Sequence, residues 1–145
     1  MVKFAGLTPY LHYEDAAAML DWLARVFGFE EVTRYVDADG RVREAEMHVG
    51  DTELWISGRD PGFWAEKDRG PEQLVLVWVD DVDAQHARVT APGIDAPAPE
   101  DKPYGVRTFG VTDPEGYEWG FMRRLGTGYR QTEDGGLREV RPAAG

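Results

Sequence analysis

Three landmarks in this chain recur at one offset. Leu11, in Leu-His-Tyr-Glu-Asp, is answered by Val77 in Val-Trp-Val-Asp-Asp, 66 residues later. Gly28 is answered by Gly93, and Leu54-Trp55-Ile56 by Trp119-Gly120-Phe121, each 65 residues later. Self-similarity at a fixed spacing marks a duplicated structural unit. The chain must therefore fold as two copies of one motif.

Each copy reads βαβββ. Residues 7–13 alternate in character, as a strand does. Glu14-Asp15 offers an N-cap for a helix to about Phe27, with Ala16, Leu20, Leu23 and Phe27 as its buried stripe. Gly28 ends it. Strands follow over 31–36, 41–49 and 52–57, joined by Asp37-Ala38-Asp39-Gly40 and Gly50-Asp51. In the second copy a continuous apolar strand covers 73–79, Asp81 caps a helix over 82–90, and Pro92-Gly93 stops it. Strands are expected at 94–96, 105–112 and 117–123. Asp113-Pro114-Glu115-Gly116 has the residue order of a type I turn. The predicted organisation is one domain over 1–125, with modules at about 5–58 and 72–124. A polar lid or linker over 58–72 carries Phe63-Trp64, and a polar tail over 126–145 reads as mobile or as an arm.

Composition narrows the function. With 145 residues and 42% hydrophobic side chains, the chain has the means to bury a core. Its 16 basic and 27 acidic residues leave a net charge of -11, which opposes binding to nucleic acid or an anionic membrane. The absence of cysteine excludes disulfides, thiolate metal sites and cysteine nucleophiles. No apolar run approaches the ~20 residues of a membrane span, and the start turns polar too soon for a signal peptide. A cytoplasmic location is expected.

Several segments resemble the vicinal oxygen chelate superfamily, which includes glyoxalase I, bleomycin-resistance proteins and extradiol dioxygenases. In the first module these are Leu7-Thr-Pro-Tyr-Leu, Glu14-Asp-Ala-Ala-Ala and Phe27-Gly-Phe-Glu-Glu. In the second they are Val79-Asp-Asp-Val-Asp-Ala, Tyr104-Gly and Asp113-Pro-Glu-Gly-Tyr-Glu-Trp. The resemblance covers roughly 5–124 and is closest to the glyoxalase-like and bleomycin-resistance-like members. It implies an α+β fold of tandem βαβββ modules, a curled mixed sheet around a concave pocket, and a homodimer.

Enzymes of that superfamily hold a divalent metal with one His, Gln or Glu from the first and last strand of each module. Those positions fall here on Thr8, Trp55, Leu74 and Gly120. Between them they supply one weak oxygen, far from the imidazole and carboxylate donors such a cation needs. No metal is expected there, and no cofactor.

Strand alternation assigns the pocket instead. Facing with Thr8 are Tyr10 and His12; with Leu74, Leu76 and Trp78; with Trp55, Glu53 and Ser57; with Gly120, Glu118 and Met122. Glu44, Glu46 and His48 share the inward face of their strand. Tyr10, Trp55, Trp78, Leu76, Glu118 and Met122 are the candidate ligand-binding residues, with Phe63 and Trp64 as a lid. Aromatic walls with carboxylates suit a planar, cationic metabolite or antibiotic. The leading expectation is a metal-independent binding protein that sequesters or carries such a ligand between Trp55, Trp78 and Trp64.

Two other readings stand beside it. One is a glyoxalase-like lyase or isomerase using His12, His48 and Glu46 as acid–base groups, or a relocated metal. The other is an interaction module whose Trp side chains fill the cavity. His86 reads as a structural residue of the second helix, and Asp80-Asp81-Asp83 as helix-terminal charge.

Overall fold

The computed structural model describes residues 1–68 and 70–126; the predicted tail lies outside them, save Gly126. The chain forms two compact units. The first holds Met1–Pro71 with Pro114–Gly116, and the second holds Glu72–Asp113 with the described residues from Tyr117 onward.

The first unit runs β1 (Tyr10–Tyr13), α1 (Ala16–Trp22), β2 (Glu30–Val36), β3 (Val42–Val49), β4 (Thr52–Gly58) and a short α2 (Phe63–Glu66). Its sheet is ordered β1-β4-β3-β2, with β1 parallel to β4 and the other pairs antiparallel. The second unit runs β5 (Leu74–Trp78), α3 (Val82–Thr90), β6 (Glu100–Lys102), β7 (Val106–Thr112) and β8 (Glu118–Arg124). Its sheet is ordered β5-β8-β7-β6, again with one parallel pair. The ladder itself repeats the sequence offset: Tyr10 pairs with Trp55, and Leu76 with Gly120.

Local chemistry accounts for the helix ends. The Asp15 carboxylate accepts from the Ala18 N–H at 3.1 Å, and Asp81 does the same for Ala84 at 2.9 Å. Each satisfies a backbone donor that has no partner in its helix. Ala16, Leu20, Leu23 and Phe27 are all buried, as the stripe requires. The helix differs from expectation at its end, where Leu23–Phe27 form a π-helical turn. The wider turn turns Leu23, Val26 and Phe27 together into the core. Gly28 and Gly93 then both take the left-handed conformation, with φ of 83° and 95°, which side chains with a Cβ adopt poorly.

One predicted strand is displaced. Residues 94–96 are irregular, and the strand beside β7 is Glu100–Lys102. Pro97 and Pro99 bring no N–H to a ladder, and the Ala96 carbonyl accepts instead from His86 Nε2 at 3.1 Å. His86 also packs edge-on to Phe109, so its role is structural.

Strand alternation sorts core from surface as expected. Leu11, Tyr13, Ala45, Met47, Leu54 and Ile56 are buried in the first unit. Val77, Phe109, Val111, Trp119 and Phe121 are buried in the second.

Candidate functional site

The opposite face of the first sheet carries the candidate residues in register. Tyr10, Trp55, Glu46 and Thr33 lie in one cross-strand row, and His12, Ser57, Glu44 and Tyr35 in the next. A cleft of about 670 Å³ opens there, bounded by Thr8, Tyr10, Tyr35, Glu44, Glu46 and Trp55. Trp55 is 41% exposed and Tyr10 45%, their rings edge to face at 6.2 Å. Both are held by carboxylates. The Tyr10 hydroxyl donates to Glu44 at 2.5 and 2.6 Å, and Trp55 Nε1 donates to Glu53 at 3.2 Å. The Glu44 bond, then burial, raises the Tyr10 pKa above that of a free phenol, so the ring stays neutral at physiological pH.

The proposed acid–base trio is not assembled. His12 faces Ser57 and His48 faces Glu53, four residues apart on β4. At ~3.3 Å per residue that is about 13 Å along the strand, beyond proton-transfer reach. Burial, then the Arg59 and Lys67 charges, lowers the His12 pKa, so His12 is the neutral imidazole near pH 7.

Phe63 and Trp64 divide their roles. The Trp64 N–H donates to the Glu14 carboxylate at 2.8 Å, and its Nε1 to Glu115 at 3.1 Å. Glu115 also accepts from the Glu14 and Asp15 backbone N–H groups at 2.7 and 2.9 Å. Trp64 is thus tied into the first unit's framework. Phe63 lies against His12, ring centres 5.7 Å apart.

In the second unit Leu74 faces Glu118, Leu76 faces Gly120 and Trp78 faces Met122. Leu74, Leu76, Tyr104, Thr108, Glu118 and Met122 border a cleft of about 530 Å³. Trp78 is exposed beside them, but the Arg124 guanidinium lies 4.1 Å from its ring centre. A cation of the same chain already covers that indole.

The metal positions do not fit a divalent cation. In the first unit they hold a threonine hydroxyl and an indole. In the second they hold Leu74 and Gly120, where a Cβ would already stand 3.0 Å from Leu76 Cδ2. Among the described residues no three His, Asp or Glu side chains converge elsewhere.

Sequence reasoning missed Tyr35, Arg59 and Lys67. Irregular register in β2 breaks the period-two signal that would place Tyr35. The two cations sit in the polar segment after β4, where no periodicity assigns a face.

Comparison with known proteins agrees with this architecture. The sequence profile of the Glyoxalase/Bleomycin resistance protein/Dioxygenase superfamily matches residues 9–121. The chain belongs to that superfamily. Among solved structures, TioX from Micromonospora sp. ML1 is 34% identical, with a TM-score of 0.66 over 84% of this chain and 100% of TioX. The bleomycin-binding protein of Streptomyces verticillus, solved with copper(II)-bleomycin, is 27% identical. Its TM-score is 0.62 over 83% of this chain and 97% of that protein. An uncharacterized protein of Mycobacterium tuberculosis is 28% identical over 121 residues, which is 79% of this chain and 71% of that protein. The superfamily fold is therefore shared with these solved structures.

Proposed function

We propose that this superfamily member is a metal-independent binding protein for a planar aromatic molecule bearing a basic group, of the antibiotic-binding type. The observation that carries the reading is Trp55. Its exposed indole stands at a position to which the family resemblance assigns a metal donor, with Tyr10 edge-on beside it and Glu46 paired across the strand. An aromatic ligand gains stacking and area burial on these rings, and its cation gains from the carboxylates. The bleomycin complex of the S. verticillus relative supports an antibiotic as ligand. In the second unit Leu76 and Met122, with the Glu118 carboxylate at the cleft edge, offer a further surface for ligand, while Trp78 contributes only if Arg124 moves aside.

Tryptophan-fluorescence titration against basic aromatic antibiotics tests the reading. Trp55→Ala is expected to weaken the best ligand on the order of 30-fold, about 2 kcal/mol. Raising the salt concentration should weaken the native protein's binding as well, since the ligand cation is drawn by the acidic face. Binding unaltered by Trp55→Ala would remove the site. Stoichiometric metal in protein purified without chelator would favour an enzyme with relocated ligands instead.

A further inference from the structure

The aromatic face does not end at the cleft. From Trp55 the ring of Tyr10 is 6.2 Å away, that of His12 another 5.6 Å, and that of Phe63 another 5.7 Å. These four rings form one continuous row of contacts. At its far end two cations bear on the same ring: the Arg59 guanidinium lies 4.7 Å from the Phe63 centre and the Lys67 ammonium 4.9 Å. At its near end stand the carboxylates of Glu46 and Glu53.

The charges of Arg59 and Lys67 have no structural use in the ion-pair sense. Arg34, Arg43, Lys102 and Arg107 each hold a carboxylate within 3.3 Å. Among the described residues neither Arg59 nor Lys67 does, nor do Arg41 and Arg124; what sets Arg59 and Lys67 apart is that both bear on the Phe63 ring. Two neighbouring cations repel each other, and their field reaches along the row. Both lower the His12 pKa after burial has done so, and Arg59 acts on the Tyr10 hydroxyl as well. An anion at the edge of Phe63 would be attracted by both charges and gain charge-assisted hydrogen bonds from whichever donors it reaches.

We propose that this face selects zwitterionic planar ligands, with an acidic group beside Arg59 and Lys67 and a basic group beside Glu46 and Glu53. The inference rests on the binding reading above and specifies its ligand class. A carboxylate, sulfonate or phosphate on the ligand serves equally at the Phe63 end. The acidic end alone would accept any aromatic cation; the paired cations make the opposite end discriminating.

Rhodamine B, a zwitterion at neutral pH whose cationic xanthene is planar, and its ethyl ester, in which the carboxylate is masked, test this by fluorescence polarisation. The free acid is expected to bind at least ~10-fold more tightly than the ester. The double variant Arg59→Gln/Lys67→Gln should abolish the acid's advantage over the ester without weakening the ester, whose cation loses two repelling charges. Glu46→Gln should weaken both dyes, since they share the cation. Equal affinity of acid and ester, or an equal loss of both in the double variant, overturns the zwitterion proposal and leaves the binding function standing. Failure of both dyes to bind the native protein overturns the two together.

Discussion

Gly58→Ala is expected to unfold the first unit or to cost on the order of 4 kcal/mol, a fall in Tm of roughly 10 °C. A Cβ built on Gly58 lies 1.9 Å from the Val42 carbonyl oxygen, 2.9 Å from its carbon and 3.3 Å from Ala16 Cβ. The first two contacts are with backbone, which has no rotamer by which to yield. The glycine ends β4 where β3 and α1 begin, and it pairs with Tyr13 of β1. All four elements must part to admit one methyl group, and close-packed interiors resist that. Gly110→Ala is the control: its nearest neighbour, the Trp119 carbonyl oxygen, is at an ordinary 3.7 Å. Urea unfolding measures both, and a Gly58→Ala midpoint equal to the control's would show that the strands separate freely.

Asp113→Ala should cost about 3 kcal/mol for a related reason. Asp113 is 3% exposed, and its carboxylate accepts from the Tyr117 N–H at 3.1 Å and from Trp119 Nε1 at 3.0 Å. Both donors belong to buried residues, and hydrogen bonds to a charged acceptor contribute about 1.5–3 kcal/mol each. Asp113→Asn keeps one acceptor oxygen and turns its amide toward one of the donors, so about half the loss is expected. Near-ultraviolet circular dichroism of Trp119 and thermal melting read the series. Equal stability of the Ala and Asn variants with the native protein would dismiss the carboxylate's part.

The turn residues 113–116 were thus legible as a turn, but not as a support for the framework. Type I turn preferences explain Asp113, Pro114 and Gly116 from neighbours alone. They say nothing of the Trp119 indole that Asp113 holds, or of Trp64, which Glu115 holds. The Phe63-Trp64 pair shows the same division. Two large aromatics in a polar segment announce a tertiary contact, yet only the fold separates a tie to Glu14 and Glu115 from a contact with His12. The spacing between His12 and His48 was likewise not legible, because residue type reveals a face and not a distance along it.

Periodicity and the 65–66 residue offset by themselves determined the βαβββ units, the buried stripe of α1 and the faces of β1, β3, β4, β5 and β8. These follow from alternation and helical spacing, which are properties of a chain's neighbours. Tertiary structure alone decided the lateral order of the aromatic rings, the carboxylates that hold them, and the placing of Arg59 and Lys67 against Phe63. Such contacts join residues far apart in the chain, and their geometry is set by strand register and loop closure, to which local spacing is blind.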